Sequence, residues 1–77
     1  MKLTYDPAAN VAYIRLREPS GDVETLRIAE DFLVDIGEDG KVCGVELLNA
    51  NEQLRGDNGR VVFVNPLSGE EQELKVA

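Results

Sequence analysis

Apolar and polar residues alternate along most of the chain, and turn-forming residues interrupt the alternation at short intervals. Residues 2–5 and 11–16 have the β-favouring composition of strands, and residues 6–10 hold the proline of a turn between them. Proline and glycine at 18–22 break the pattern before a third strand from Val23 to Ile28. The pattern therefore predicts a β-rich fold that begins with a hairpin.

The clearest unit is a hairpin over residues 32–47, in which Asp39 and Gly40 suit a two-residue type I′ turn. With Glu38 opposite Lys41 beside that turn, a single register follows along both strands. It pairs Ile36 with Cys43, Val34 with Val45 and Phe32 with Leu47. This register predicts that one face of the hairpin is wholly apolar.

The rest of the chain predicts a short helix and then a second hairpin. Strand formers disappear over residues 49–55, where Asn49 is followed three residues later by Glu52, as in a capping box. Glycines directly after this segment end the helix. Residues 60–64 and 72–76 again have a strand pattern, so we expect them to pair antiparallel.

The length of 77 residues suits one hydrophobic core, so we expect a single β-rich domain over residues 1–77. The expected fold is mainly β (α+β), an antiparallel meander sheet of about five to seven strands with one short helix near residues 49–55. We expect the sheet to be strongly twisted or a half-barrel. Several strands have apolar residues on both faces, and one short helix cannot cover a sheet face. Either the sheet curls around its own core, or a second copy covers it.

The charge balance selects the class of partner. Fifteen acidic and eight basic residues give a net charge of -7, which repels a phosphate backbone and excludes nucleic acid as the expected partner. The same field attracts a basic protein, although an acidic surface also serves solubility alone. We therefore expect a homodimer, with a basic protein as a second partner.

The lengths of the apolar stretches predict the cellular compartment of the protein. No stretch approaches the ~20 apolar residues of a membrane span, so we expect no membrane partner. The first residues lack the apolar core of a signal peptide, and the single cysteine points to the reducing cytoplasm.

Groups that carry chemistry are sparse. The chain has no histidine and one cysteine, Cys43, so it lacks the commonest general base and the commonest zinc ligand. The densest carboxylate run is Glu30, Asp31, Asp35, Glu38 and Asp39. Its spacing does not match a calcium-binding loop, and a solvated strand edge explains it. We therefore predict no metal-binding residue and no cofactor.

Three smaller candidates have a structural and a functional interpretation. Asp35 and Glu46 fall diagonally on the polar face of the predicted hairpin, where an acid–base dyad would need a nucleophile or oxyanion feature that the sequence does not supply. Cys43 lies on the predicted apolar face and is expected to pack in the core. Tyr5 and Tyr13 have two interpretations: an aromatic recognition patch, or side chains that cover the sheet or contact a second subunit. We favour the second interpretation. We assign no catalytic or cofactor-binding residue.

Several motifs occur in a fixed order along the chain. They are Lys2–Pro7, Ala12–Leu16, Val34-Asp35, Asp39-Gly40 and Gly44–Ala50. This arrangement resembles the small prokaryotic family known as domain of unknown function 2283, over about Lys2 to Leu54, with Asn10 where the family commonly has an acidic residue. The resemblance implies a short β-rich domain with no established activity. Some members are encoded beside toxin-like partners, which implies a protein-binding or antitoxin-like role.

Three classes of function remain open at this point. The leading hypothesis is a non-enzymatic protein-binding or accessory module, homodimeric and antitoxin-like, that presents an acidic β surface. The second is a purely structural domain. The third is a small carboxylate-dependent enzyme, for which the sequence supplies no complete set of reacting groups.

Overall fold

The computed structural model describes residues 1–57 and 59–75, without the side chain of Asp57. Within these residues the elements are β1 (Lys2–Asp6), β2 (Val11–Arg15), β3 (Glu24–Ala29), β4 (Phe32–Ile36), β5 (Val42–Leu48), α1 (Ala50–Gln53), a 3₁₀ helix (Leu54–Asp57), β6 (Arg60–Asn65) and β7 (Glu70–Lys75). The predicted mainly β, antiparallel fold with one short helix is confirmed.

The described strands form two sheets. Five strands form one open antiparallel sheet in the order β1-β2-β5-β4-β3, and β6 and β7 form a separate two-stranded sheet. The strands β3, β4 and β5 follow one another as a meander, and the β1–β2 hairpin joins them by pairing β2 with β5. In the turn between β1 and β2, the carboxylate of Asp6 accepts the backbone N–H groups of Ala8 and Ala9 at 3.0 and 3.1 Å, which is the capping of a turn by its first side chain.

The β4–β5 hairpin keeps most of the predicted register. Val34 lies opposite Val45 and Phe32 lies opposite Leu47, as predicted. The predicted pairing of Ile36 with Cys43 is wrong, because Ile36 lies opposite Val42.

The predicted two-residue turn is also wrong, as is the placement of Glu38 opposite Lys41. The N–H of Gly37 donates to the carbonyl of Lys41 at 3.0 Å, so Glu38, Asp39 and Gly40 together form the loop. Gly40 has φ 78, the left-handed conformation that closes a three-residue hairpin loop. The longer loop shifts the register by one residue, and a bulge between Ile36 and Asp35 shifts it back.

Strand pairing places the side chains of the five-stranded sheet on two unlike faces. The apolar face carries Leu3, Tyr5, Ala12, Ile14, Leu26, Phe32, Val34, Val45 and Leu47. The opposite face carries the polar residues Thr4, Tyr13, Arg15, Thr25, Asp35 and Glu46 together with the apolar residues Val11, Leu33 and Leu48, and is here called the polar face. Of the nine residues of the apolar face only Ala12 is buried, and no large side chain among the described residues is fully buried. The sheet therefore has a hydrophobic face but no second layer over most of it.

The helix α1 covers one end of the apolar face. Ala50 at its start is fully buried, and Asn51 accepts a hydrogen bond from the hydroxyl of Tyr5 on β1. Within the described part of the chain, no helix is long and apolar enough to cross a membrane.

The start of α1 is held by Asn10, not by the predicted capping box. Asn49 has φ 52 and its side chain caps no backbone N–H, although it donates to the carboxylate of Glu52 at 2.9 Å. The side-chain oxygen of Asn10 accepts the N–H of Asn51 at 2.6 Å, and its carbonyl accepts the N–H of Ala50 at 3.1 Å. A residue in the β1–β2 turn therefore caps a helix that begins about forty positions later.

The hairpin β6–β7 pairs as predicted, with Val61 opposite Leu74 and Phe63 opposite Gln72. All its described residues from 60 to 75 are exposed. Its strands contact each other and the 3₁₀ helix and make no extensive contact with the five-stranded sheet. Asn58 and Val76, which belong to the predicted second hairpin and the turn before it, lie outside the described residues.

The chain has more surface than a compact protein of its size. Its accessible area is 5585 Å², whereas a compact monomer of 8.5 kDa exposes about 4,650 Å². Its radius of gyration is 13.9 Å, against about 11.5 Å for a compact domain of this length. The single-layer sheet and the separate hairpin account for the excess.

Candidate functional site

The polar face is organised around a contact that crosses a strand. Tyr13 on β2 and Asp35 on β4 are separated by β5, where Gly44 lies between them. A Cβ atom at position 44 would lie 2.6 Å from Cζ of Tyr13 and closer still to its hydroxyl oxygen. The absence of a side chain at Gly44 therefore lets the tyrosine ring lie across β5 and reach Asp35.

Both carboxylate oxygens of Asp35 accept a hydroxyl donor. The hydroxyl of Tyr13 donates to one oxygen at 2.8 Å, and the hydroxyl of Thr25 donates to the other at 2.7 Å. These two bonds connect β2, β4 and β3 across the polar face. Hydrogen bonds to a charged acceptor are stronger than neutral ones, so Asp35 stabilises this arrangement of strands.

The predicted position of Glu46 relative to Asp35 is confirmed. Glu46 lies on the same face opposite Leu33 and Tyr13, while Asp35 lies opposite Gly44, so the two carboxylates are diagonal neighbours. Each carboxylate oxygen of Asp35 already accepts one structural hydrogen bond from a hydroxyl group. This geometry indicates that Asp35 holds the side chains of Tyr13 and Thr25, and with them strands β2 and β3, in place.

The environment of Tyr13 disfavours its phenolate form. Burial, followed by the hydrogen bond to Asp35 and the negative charge of its carboxylate, raises the pKa of Tyr13 from 10.0 to about 12. The raised pKa keeps the hydroxyl of Tyr13 protonated, as the donation to Asp35 requires.

This shift makes stability depend on alkaline pH. Below pH 10 the phenol is protonated in both the folded and the unfolded chain, and its full contribution to stability is present. As pH rises from 10 towards 12, the unfolded chain ionises first and the contribution is lost. We expect wild type to lose more stability than Tyr13→Phe over this interval, measured by urea unfolding at several pH values. Equal losses in the two proteins would contradict the assignment.

The carboxylates of the acidic run do not come together. Glu30 and Asp31 lie before β4, and Glu38 and Asp39 lie after it, so the strand separates the two pairs, while Asp35 lies on the polar face between them. Among the described residues, no group of three or more His, Cys, Asp or Glu side chains is placed to hold a metal ion.

Cys43 and the two tyrosines lie in different environments. Cys43 is 3% exposed, which confirms its predicted burial, and its sulfur lies 3.5 Å from the carbonyl oxygen of Asp35. Tyr5 and Tyr13 lie on opposite faces of the sheet, because Tyr5 pairs with Ala12 and Tyr13 with Thr4. They therefore do not form a shared aromatic patch, and only Tyr5 lies on the apolar face.

Charges are segregated at the end of the sheet that is remote from α1. Where the β2–β3 connection meets the β4–β5 loop, the N–H of Glu38 donates to the carbonyl of Ser20 at 2.9 Å. Three exposed carboxylates of the two connections, Asp22, Glu38 and Asp39, lie at this junction and are here called the acidic corner. On the β1–β2 side of the same end, a cleft of about 440 Å³ is lined by cationic and other residues, namely Met1, Lys2, Arg15, Leu16, Arg17 and Glu18. Neither the acidic corner nor the cleft could be predicted from the sequence, because strand pairing brings their residues together.

One comparison with known proteins gives a match. The sequence model of the family described as "Protein of unknown function (DUF2283)" matches residues 2–51. Neither a curated protein nor a solved structure matches the chain significantly. The matched residues extend from β1 to the first turn of α1 and include Asn10, Tyr13, Asp35 and Gly44.

Proposed function

Since the chain belongs to the family described as protein of unknown function (DUF2283), which brings no activity with it, we propose its function from its surfaces. It is a non-enzymatic, homodimeric protein-binding module of the cytoplasm. Its acidic surface engages a basic protein, in the manner of an antitoxin and its partner.

The partly exposed apolar face is the observation that carries the homodimer. Nine residues of this face lie on one side of the sheet, and α1 contacts one end of it. A sheet face of this composition is stable when a second layer removes it from water. A second copy supplies that layer and adds buried area that a chain of 77 residues cannot supply alone.

The acidic corner supports the choice of a basic partner. Its three exposed carboxylates come from two connections, and a backbone hydrogen bond between Glu38 and Ser20 holds these connections side by side. Such a cluster accelerates encounter with a positive surface, and the effect weakens as salt screens it. Because the corner lies on loops at the end of the sheet, it stays accessible when the apolar face is covered.

The two parts of the proposal respond differently to salt. Sedimentation equilibrium should give a dimer at micromolar concentration that persists at high salt, because apolar burial drives it. Co-purification at native expression level should recover a basic protein whose binding weakens as salt rises. Asp22→Asn/Glu38→Gln should release this partner, whereas Glu30→Gln/Glu71→Gln, with the same change in net charge, should retain it.

Each part has its own contradicting result. A monomer across micromolar concentrations would remove the homodimer. Recovery of nucleic acid in place of a basic protein, or equal loss of the partner in both double variants, would remove the acidic corner from the proposal.

A further inference from the structure

We propose that the β6–β7 hairpin is an arm with which each copy of the chain covers the apolar face of the other. This inference rests on the homodimer of the proposed function and names the two surfaces that meet in it.

The hairpin has one apolar side and one charged side. Alternation along the strands places Val61, Phe63 and Leu74 together on the first side, where they are 37%, 73% and 53% exposed. The second side carries Val62 and Val64 together with Glu71 and Glu73, and Arg60 forms an ion pair with Glu73 at 3.6 Å. The first side holds the aromatic ring of Phe63 and is the one suited to an apolar surface, whereas the ion pair on the second side is suited to water.

A hairpin of this kind is not stable on its own. A single two-stranded hairpin is marginal in water, and stability comes from packing its apolar side against another element. Here the hairpin contacts the 3₁₀ helix at its base and leaves Phe63 largely in solvent. The described residues therefore include two apolar surfaces that are partly exposed, one on the arm and one on the sheet.

The excess surface of the chain matches what a dimer buries. The accessible area of 5585 Å² exceeds that of a compact monomer by roughly 900 Å². A standard stable interface buries about 800 Å² from each partner. The excess surface of this chain is therefore of the size that each partner buries in a stable dimer.

The position of the arm favours a second copy over its own sheet. The 3₁₀ helix follows α1 directly and ends just before β6, so the arm leaves the end of the sheet without a long connection that could turn it back. The radius of gyration of 13.9 Å reflects this outward position. In a twofold dimer each arm lies on the apolar face of the partner. Both arms and both faces are then buried, and no matching surface is left for a third copy.

Two neighbouring substitutions test the arm. Phe63→Thr and Val64→Thr both keep a strand-forming residue, but they change opposite sides of the hairpin. In sedimentation equilibrium, Phe63→Thr should raise the dimer dissociation constant by about tenfold to a hundredfold, as expected for an aromatic anchor. Val64→Thr should change it by less than about threefold. Circular dichroism and thermal unfolding of the isolated variants check that both remain folded.

A photo-crosslinking experiment tests the contact directly. Benzoylphenylalanine at position 63 in a mixture of ¹⁵N-labelled and unlabelled chains should give mixed-mass crosslinks to residues of the apolar face, such as Ile14 or Val45. Crosslinks within one chain, or to the polar face, would overturn the arm exchange. A wild-type dimer that Phe63→Thr leaves unchanged would overturn the arm and leave the homodimer standing, whereas a monomeric wild type would overturn both.

Discussion

Replacing Gly44 by alanine is expected to lower the free energy of unfolding by about 2–4 kcal/mol. The added Cβ would lie 2.6 Å from Cζ of Tyr13, so the ring has to leave its position across β5. Its hydroxyl then loses the bond to Asp35, which keeps only Thr25 as a donor. Urea unfolding followed by circular dichroism measures the loss.

A second background separates this steric effect from a general effect of alanine in β5. With Tyr13→Val already present, the space over position 44 is free, and Gly44→Ala should be neutral or stabilising by about 0.5–1 kcal/mol, because glycine is unfavourable within a strand. The double-mutant cycle should therefore show strong coupling between positions 13 and 44. An equal loss in both backgrounds would show that the Tyr13 ring does not determine the need for glycine.

Asn10→Ala should lower the free energy of unfolding by about 2–3 kcal/mol. Two effects add: a left-handed alanine costs about 1–2 kcal/mol, and loss of a helix cap costs about 1 kcal/mol. Asn10 has φ 61, and its side-chain oxygen accepts the N–H of Asn51 at 2.6 Å. Urea unfolding gives the total, and amide hydrogen exchange at Asn51 reports the lost cap.

Two further substitutions at position 10 divide the effect. Asn10→Gly removes the cap but tolerates the left-handed backbone, so its loss should be about 1 kcal/mol. Asn10→Asp keeps the acceptor oxygen for Asn51 but loses the hydrogen bond that the amide nitrogen of Asn10 donates to the side-chain oxygen of Asn49 at 3.2 Å. Its loss of stability should therefore be smaller than that of Asn10→Ala but measurable. If alanine and glycine cost the same, backbone conformation contributes nothing at this position.

The register of the β4–β5 hairpin could be predicted from the sequence because its apolar positions allow one alignment. A two-residue loop would pair Val34 with Val45 directly, and the three-residue loop gives the same pair because a bulge follows it. The longer loop and the bulge shift the pairing by one residue in opposite directions, so they cancel beyond Asp35. The apolar alternation in the sequence depends only on the register beyond the bulge and is the same with or without the two compensating shifts. For this reason the loop length and the partner of Ile36 were predicted wrongly.

The contacts of Asn10 and Tyr13 could not be predicted because each depends on which strands become neighbours. The spacing of Asn49 and Glu52 suggested a local cap, whereas the actual cap comes from Asn10 on another hairpin. A signal for the Tyr13 contact was present in Gly44, since a glycine inside a strand often marks a close approach. The sequence does not say what approaches, because that requires β2 and β4 to flank β5.

The dependence of α1 on Asn10 bears on the order in which the chain folds. The pairs β1–β2, β3–β4 and β4–β5 join segments that are adjacent in sequence, so each forms with a short closed loop. The seam between β2 and β5 is the one joint of the five-stranded sheet that brings distant segments together, and it also delivers Asn10 to α1. The largest share of the conformational entropy that loop closure costs in this sheet is therefore lost when β2 pairs with β5. Since a four-residue helix is too short to form alone, α1 follows the docking of the two hairpin units and completes the folding of this end of the sheet.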